Sequence, residues 1–210
     1  MISFFMPAGS GFSELTEKRS RFLGHLTTIK DEDGAKDYIR SIKKQYHDAR
    51  HNCWCYRIYA GSERFSDDGE PQGSAGMPML EVFRRENIYN FVCVVTRYFG
   101  GVLLGTGGLS RCYSAAAKSA LMNAGIIAQG EWAELHFSCP YTMLERYKNE
   151  LASAGANILG LEYGQDVQII AQLPLDTADT LSDRIFSLSG GKIRPVRSEP
   201  LFRADTREKE

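Results

Sequence analysis

The stretch from Phe91 to Ser114 constrains the fold of this chain most. It opens with Phe91-Val92-Cys93-Val94-Val95-Thr96-Arg97-Tyr98-Phe99. A continuous apolar, β-branched run of this kind suits a strand buried on both faces. The stretch closes with small residues that spell a helix from Leu109 onward, and Gly100, Gly101, Gly105, Gly107 and Gly108 lie in the turn between. Glycine costs backbone entropy on folding, so a cluster of it has a reason. Two are available: positive φ in the turn, or close approach of backbone N–H groups to another body. The amino end of a helix carries unpaired N–H donors and a partial positive charge, which makes an anion the natural guest. Arg97 and Arg111 flank the turn and add full charges. The candidate anion site is therefore Arg97, Tyr98, Gly100, Gly101, Gly105, Gly107, Gly108 and Arg111. The competing reading is that the glycines only let the helix pack closely on the sheet. Gly100 and Gly105 have Walker-A spacing, but Thr106-Gly107 stands where Lys-Ser/Thr is required, and no G-x-G-x-x-G occurs, so neither nucleotide-loop motif is present.

The composition, 43% hydrophobic and 24% charged, is that of an ordinary globular protein. The net charge of −1 gives no global basic signature. The charge is uneven, however: residues 1–130 hold 16 basic against 13 acidic residues, and residues 131–210 hold 9 against 13. A polyanion would meet the first part. Cys53, Cys55, Cys93, Cys112 and Cys139 are odd in number and sit mostly in apolar runs, as expected of reduced, buried thiols. The first residues, Met1 to Pro7, lack the basic start and long apolar core of a signal peptide. The longest apolar runs are too short to span a membrane. The expectation is a cytoplasmic protein with no membrane partner.

Along the chain, residues 20–29 read as a strand. Asp31-Glu32-Asp33 then supplies acidic caps to a helix whose apolar stripe is Ala35, Tyr38, Ile39, Ile42 and Tyr46. Lys36, Arg40, Lys43 and Lys44 occupy its other face, as a solvated face or a polyanion contact. Strands are predicted at 53–59 and 64–66, then a polar Gly/Pro-rich segment, a helix over 77–85, the strand of the opening stretch, and a helix over 109–124 stopped by Gly125. From there the pattern is strand 133–138, helix 143–154, strands 157–163 and 167–173, helix 177–189 and strand 192–198. That order is the split βαβ, ferredoxin-like arrangement. The expected organisation is one domain over 1–128, a second over 131–202, and a charged tail over 203–210 without fixed structure.

His47-Asp48-Ala49-Arg50-His51 imitates the H-E-x-x-H zinc motif. A helix ending near Tyr46 and a strand starting near His51 would point the two rings apart, so no metal site is assigned. Asp67, Asp68 and Glu70 are the densest carboxylates, with His51 as a possible companion. They form an Asp-Gly turn, a partner contact or a Mg²⁺ site, and could pair with Arg97 or Arg111. No Ser-His-Asp or Cys-His set can be assembled, and Ser110 is not in G-x-S-x-G, so no catalytic residue is assigned.

Three stretches, with Ala49 and His51-Asn52-Cys53, resemble the IMPACT family in its bacterial YigZ type. They are Ser66-Asp67-Asp68-Gly69-Glu70-Pro71, then Gly73-Ser74-Ala75-Gly76 with Pro78, then Thr96-Arg97-Tyr98-Phe99-Gly100-Gly101 through Ser114. The resemblance covers about residues 15–125. It implies an α+β chain. The N-terminal domain would have the βαβ-type fold of the second domain of a small-subunit ribosomal protein. A ferredoxin-like domain similar to those of translational GTPase elongation factors would follow. It implies a link to translation control, and a surface site of unknown chemistry at Asp67, Asp68, Glu70, Arg97, Tyr98, Gly100, Gly101, Gly107, Gly108 and Arg111. The expected function is a translation-associated regulatory protein that binds RNA or a ribosomal element through this surface, with Tyr98 stacking on a base. The alternatives are a Mg-dependent enzyme acting on a phosphorylated small molecule and a protein-binding adaptor.

Overall fold

The computed structural model describes residues 2–204, with side chains from Phe4 onward. In chain order the strands and helices are β1 (Ile2–Pro7), β2 (Gly11–Glu17), β3 (Ser20–Thr28), α1 (Glu32–Gln45), β4 (His51–Arg57), β5 (Glu63–Ser66), α2 (Gly76–Arg85), β6 (Phe91–Tyr98) and α3 (Gly105–Ala124). There follow β7 (Ile126–Cys139), a 3-10 turn (Tyr141–Met143), α4 (Leu144–Ser153), β8 (Asn157–Tyr163), β9 (Val167–Pro174), α5 (Leu175–Leu188), β10 (Val196–Arg197) and β11 (Leu201–Ala204). The chain divides into two units: Phe4–Ala128 in one, and Gln129 onward with the first residues of β1 in the other.

The apolar run of β6 is buried along nearly its whole length because both faces are covered. Phe91, Cys93 and Val95 pack on one side with Met79, Leu80 and Phe83 of α2 and Leu109, Tyr113 and Ala117 of α3. Val92 and Val94 point the other way, to Ala35, Ile39 and Ile42 of α1. Alternation along one strand thus feeds two helical layers. β6 is central in a five-stranded sheet of order β2-β3-β6-β4-β5, antiparallel at every step. β3 and β4 both run against β6, so they are parallel to each other, with α1 crossing between them. Cys53 and Cys55 fall on one face, and all five cysteines are free and buried.

In the second unit β7 carries β9 on one side and β10 and β11 on the other, with β8 outside β9. This is the strand order of a split βαβ, ferredoxin-like domain. Its core joins Leu135 and Phe137 of β7 and Ile169 and Ala171 of β9 to Tyr147 and Leu151 of α4 and Leu181 and Ile185 of α5. Among the described residues no helix is long and apolar enough to cross a membrane.

Three expectations need correction, and one strand was not expected at all. β2 was not legible as a strand: its burial alternates, but the inward positions are Gly11, Ser13 and Leu15, so apolar and polar side chains do not alternate along the sequence. α3 starts at Gly105 rather than Leu109, so Gly105, Gly107 and Gly108 form its first turn. Between residues 192 and 198 only Val196–Arg197 is a strand, paired with Leu135 and His136. Finally, Arg203 and Ala204 belong to β11, which pairs with Gln129–Trp132, rather than to a tail. Residues 205–210 of the expected tail lie outside the described residues.

Candidate functional site

The site is built across one row of the sheet. Register places Phe22 of β3, Arg97 of β6 and His51 of β4 side by side. Directly opposed residues project to the same face, here the one α3 covers. Arg97 is 5% exposed, with Phe22 and Phe99 rings each 5.5 Å from its guanidinium carbon. Its charge is met by Glu70: Nη1 donates to Oε1 at 2.6 Å. The Tyr113 hydroxyl donates to the same oxygen at 2.8 Å, and His51 Nε2 stands 3.8 Å from it. Burial pushes the Tyr113 phenol far above its usual range, with Cys53 and Glu70 adding to it. Burial likewise pushes the Cys53 thiol up. Both groups therefore act as neutral donors: Tyr113 to Glu70, and Cys53 Sγ to the Asp67 carbonyl oxygen at 2.9 Å.

The acidic loop is tied down by its own first two carboxylates. Asp67 Oδ1 accepts from the amides of Ala75 and Gly76, and Oδ2 from Gly73. It thereby meets the positive amino end of α2. Asp68 Oδ1 accepts from Lys43 Nζ at 2.6 Å and Oδ2 from the Asn52 amide at 2.7 Å. The Asp68 carbonyl oxygen accepts from His51 Nδ1 at 2.8 Å. Glu70 is left as the carboxylate that lines a cleft of about 320 Å³. Arg50, His51, Arg97, Phe99, Leu103 and Leu104 line the same cleft, with Gly105 and Thr106 from the start of α3. No side chain caps α3 and no acidic residue lies in its first turn. The exposed Arg50 guanidinium sits over the Phe99 ring, 5.7 Å from its centre.

This geometry sorts the predicted residues. Glu70, His51, Arg97 and Gly105 come together, and the pairing of the acidic loop with Arg97 is present. Arg97 is not a free phosphate cation, because Glu70 neutralises it and it is buried. Tyr98 is one residue further along β6 and so faces the other way, its hydroxyl donating to Asp48 and its ring beside Arg21. Arg111 and Gly108 line a separate depression with Lys18 and Cys112. Gly100 serves packing: a β-carbon there would stand 2.1 Å from the Arg19 carbonyl carbon. Asp67 and Asp68 are occupied as described. Among the described residues no group of three or more His, Cys, Asp and Glu is placed to hold a metal. The carboxylate oxygens of Asp67 and Asp68 are filled by N–H donors, which suits Mg²⁺ poorly. Sequence reasoning missed Arg50, Phe99 and Tyr113 as parts of the site. Only strand alternation from Arg97 and His51 would have hinted at the site's facing side chains.

Two family models match the chain. The Impact N-terminal domain covers residues 18–121, and a domain of unknown function, DUF1949, covers residues 137–192. IMPACT family member YvyE of Bacillus subtilis (strain 168) is 34% identical over 192 residues, covering 90% of this chain and 88% of that protein. IMPACT family member YigZ of Escherichia coli (strain K12) is 31% identical over 203 residues, covering 95% of this chain and all of that protein. A crystal structure described only as that of a hypothetical protein superposes with a TM-score of 0.63 at 30% identity, covering 95% of this chain and 98% of that one. The cleft residues Arg50, His51, Glu70 and Arg97 all fall inside the first matched domain, and the chain belongs to the IMPACT family, in its YigZ type.

Proposed function

We propose that this chain is a non-enzymatic, translation-associated binding protein whose first domain holds the sugar–phosphate backbone of an RNA in the cleft beside α3. The observation that carries this reading is the amino end of α3. It heads a helix of 20 residues, has no capping side chain and no acid in its first turn, and opens into a cleft that also presents Arg50. Such an end offers aimed N–H donors and a partial positive charge. Phe99, carrying Arg50 on its ring, gives a flat partner for a base. The link to translation comes from the family resemblance carried by the motifs between Ser66 and Ser114. The enzyme reading loses support because the carboxylates it would use for Mg²⁺ are engaged elsewhere.

Fluorescence anisotropy with a structured RNA tests the proposal. Binding is expected at about 50 mM salt and should weaken toward 200 mM as counterions are released. Arg50→Ala should reduce affinity and make the salt slope shallower by roughly one phosphate contact. Absence of binding at low salt, or indifference to Arg50→Ala, ends this reading. The adaptor reading is favoured by one observation: Leu103, at the cleft, is 84% exposed. A protein captured in a nuclease-treated pulldown and lost with Leu103→Ser would select it.

A further inference from the structure

β8 is an edge strand of the second unit's sheet, paired with β9 alone among the described residues. Alternate residues of an edge strand turn their N–H and C=O groups away from the sheet, where another chain can pair with them. Proteins commonly blunt such an edge with a bulge, a lysine, a proline or a cover. Here the register shifts between Ile158 and Gly160, which makes Leu159 a bulge, but residues 160–163 stay in regular register with β9. No lysine or proline lies in β8. The side chains beside this edge are open: Leu159 is 52% exposed and Tyr163 63%. Tyr163 lies opposite Val167, on the face of the sheet that α4 and α5 cover. Its ring stacks on that of the exposed Tyr141, with centres 6.3 Å apart. The Tyr141 hydroxyl donates to the Gly164 carbonyl oxygen at 2.9 Å, which fixes this aromatic shelf in place.

The chemistry around the edge is acidic. Glu162 and Asp166 line a depression of about 310 Å³ with Tyr163, Ser138 and Gln168. Neither carboxylate has a basic partner among the described residues. Lys148, the cation near Tyr163, is taken by Glu145 at 2.9 Å. Residues 131–210 hold 13 acidic against 9 basic residues. A phosphate backbone would be repelled here, and a second copy would set one acidic unit against another. The occupant that matches is an extended polypeptide carrying Lys or Arg. Its main chain meets the free edge, and its alternate side chains fall on the two faces, beside Tyr163 and beside Glu162. An ammonium or guanidinium group set there pairs with the carboxylates and lies on the tyrosine shelf. We propose that the β8 edge takes a basic, extended segment of a partner protein as an added strand. This goes beyond the RNA reading of the first domain, and neither depends on the other.

The test uses the full chain and three short labelled peptides. One alternates arginine and valine, one is the same peptide with every backbone nitrogen methylated, and one alternates glutamate and valine. The arginine peptide should bind in anisotropy titrations at low salt. The methylated peptide should bind at least about tenfold more weakly, because it has no N–H to donate to the edge. The glutamate peptide should not bind. Glu162→Gln and Asp166→Asn should each weaken the arginine peptide about two- to fivefold, the range for exposed ion pairs, and leave RNA binding unchanged. Hydrogen exchange at residues 159–163 should slow in the peptide complex. No binding of the arginine peptide, equal binding by its methylated or acidic counterpart, or slowed exchange elsewhere than in β8 overturns the proposal. So does a dimer, seen by light scattering, that protects the same amides and shuts the peptide out; the edge would then belong to a second copy. If a variant fails to fold, the peptide comparison and the exchange map on the unmodified chain decide alone.

Discussion

Glu70 and Arg97 have the least exposed side chains of any ion pair among the described residues, at 3% and 6%. A buried pair is weak evidence for stability, because desolvation offsets its attraction, but breaking it from one side strands a charge. Glu70→Ala should therefore lower unfolding stability by about 3–5 kcal/mol in urea titrations. A loss below about 1 kcal/mol would mean that Arg97 finds water or another acceptor. His25 gives a second prediction at this scale. It is buried between Phe12 and Tyr46, its Nε2 has no partner among the described residues, and burial lowers its pKa to about 4. The folded state keeps the ring neutral, whereas the unfolded chain takes up a proton near pH 6.5. The unfolded state thus binds more protons between those values. This contribution is fully present above about pH 6.5 and is lost as the pH falls toward 4, by at most ~3 kcal/mol. Denaturation midpoints at pH 7 and pH 4.5 should differ less in His25→Phe than in the unmodified chain; equal differences would show that carboxylates alone set the acid limb.

At the scale of elements, α3 joins packing to function. Gly105 needs its positive φ of 71°, but Gly107 and Gly108 in the first turn each cost about 1 kcal/mol of helix propensity against alanine. Gly107 has neither a positive φ nor a neighbour a β-carbon would strike, the nearest atom being Arg111 Nη1 at 3.8 Å. Gly107→Glu should therefore stabilise the fold by about 1–2 kcal/mol, through propensity and charge at the helix start. It should also weaken RNA binding by placing a carboxylate where phosphate is to sit. Greater stability with unchanged binding would remove the α3 amino end from the site. The same helix shows what the sequence could tell. The two-sided burial of β6, the stripe of α1 and the element order of the second unit were legible, because each is a local periodicity. β2 and β11 were not: β11 is defined by a partner distant in sequence, and β2, though it forms a hairpin with the strand that follows it, buries only Ser13. The pairing of the acidic loop with Arg97 followed from charge. That Arg97 would be spent on it, leaving Arg50 as the open cation, depended on sheet register, which composition and spacing do not carry.

Across the whole molecule, charge sets how such a protein can hold a polyanion. Residues 1–130 carry 16 basic and 13 acidic residues, yet the basic face of α1 is largely neutralised within the unit. Lys36 pairs with Glu32 and Asp33, Arg40 with Asp37, and Lys43 with Asp68. Residues 131–210 carry four more acidic than basic residues and would repel phosphate. On the proposed reading, RNA binding through the cleft would be local, with about two or three phosphates near Arg50 and the α3 amides. For single strands each phosphate contributes about −0.7 to the slope of log K against log salt, so affinity should fall roughly seven- to twentyfold between 50 and 200 mM. Anisotropy titrations at several salt concentrations measure this directly. A flat dependence would exclude phosphate as the handle. A fall of a thousandfold or more would require an extended basic surface that draws in cations such as Lys18 and Arg111 of the separate depression. Only the intermediate slope is compatible with a site built from one helix end and one exposed arginine.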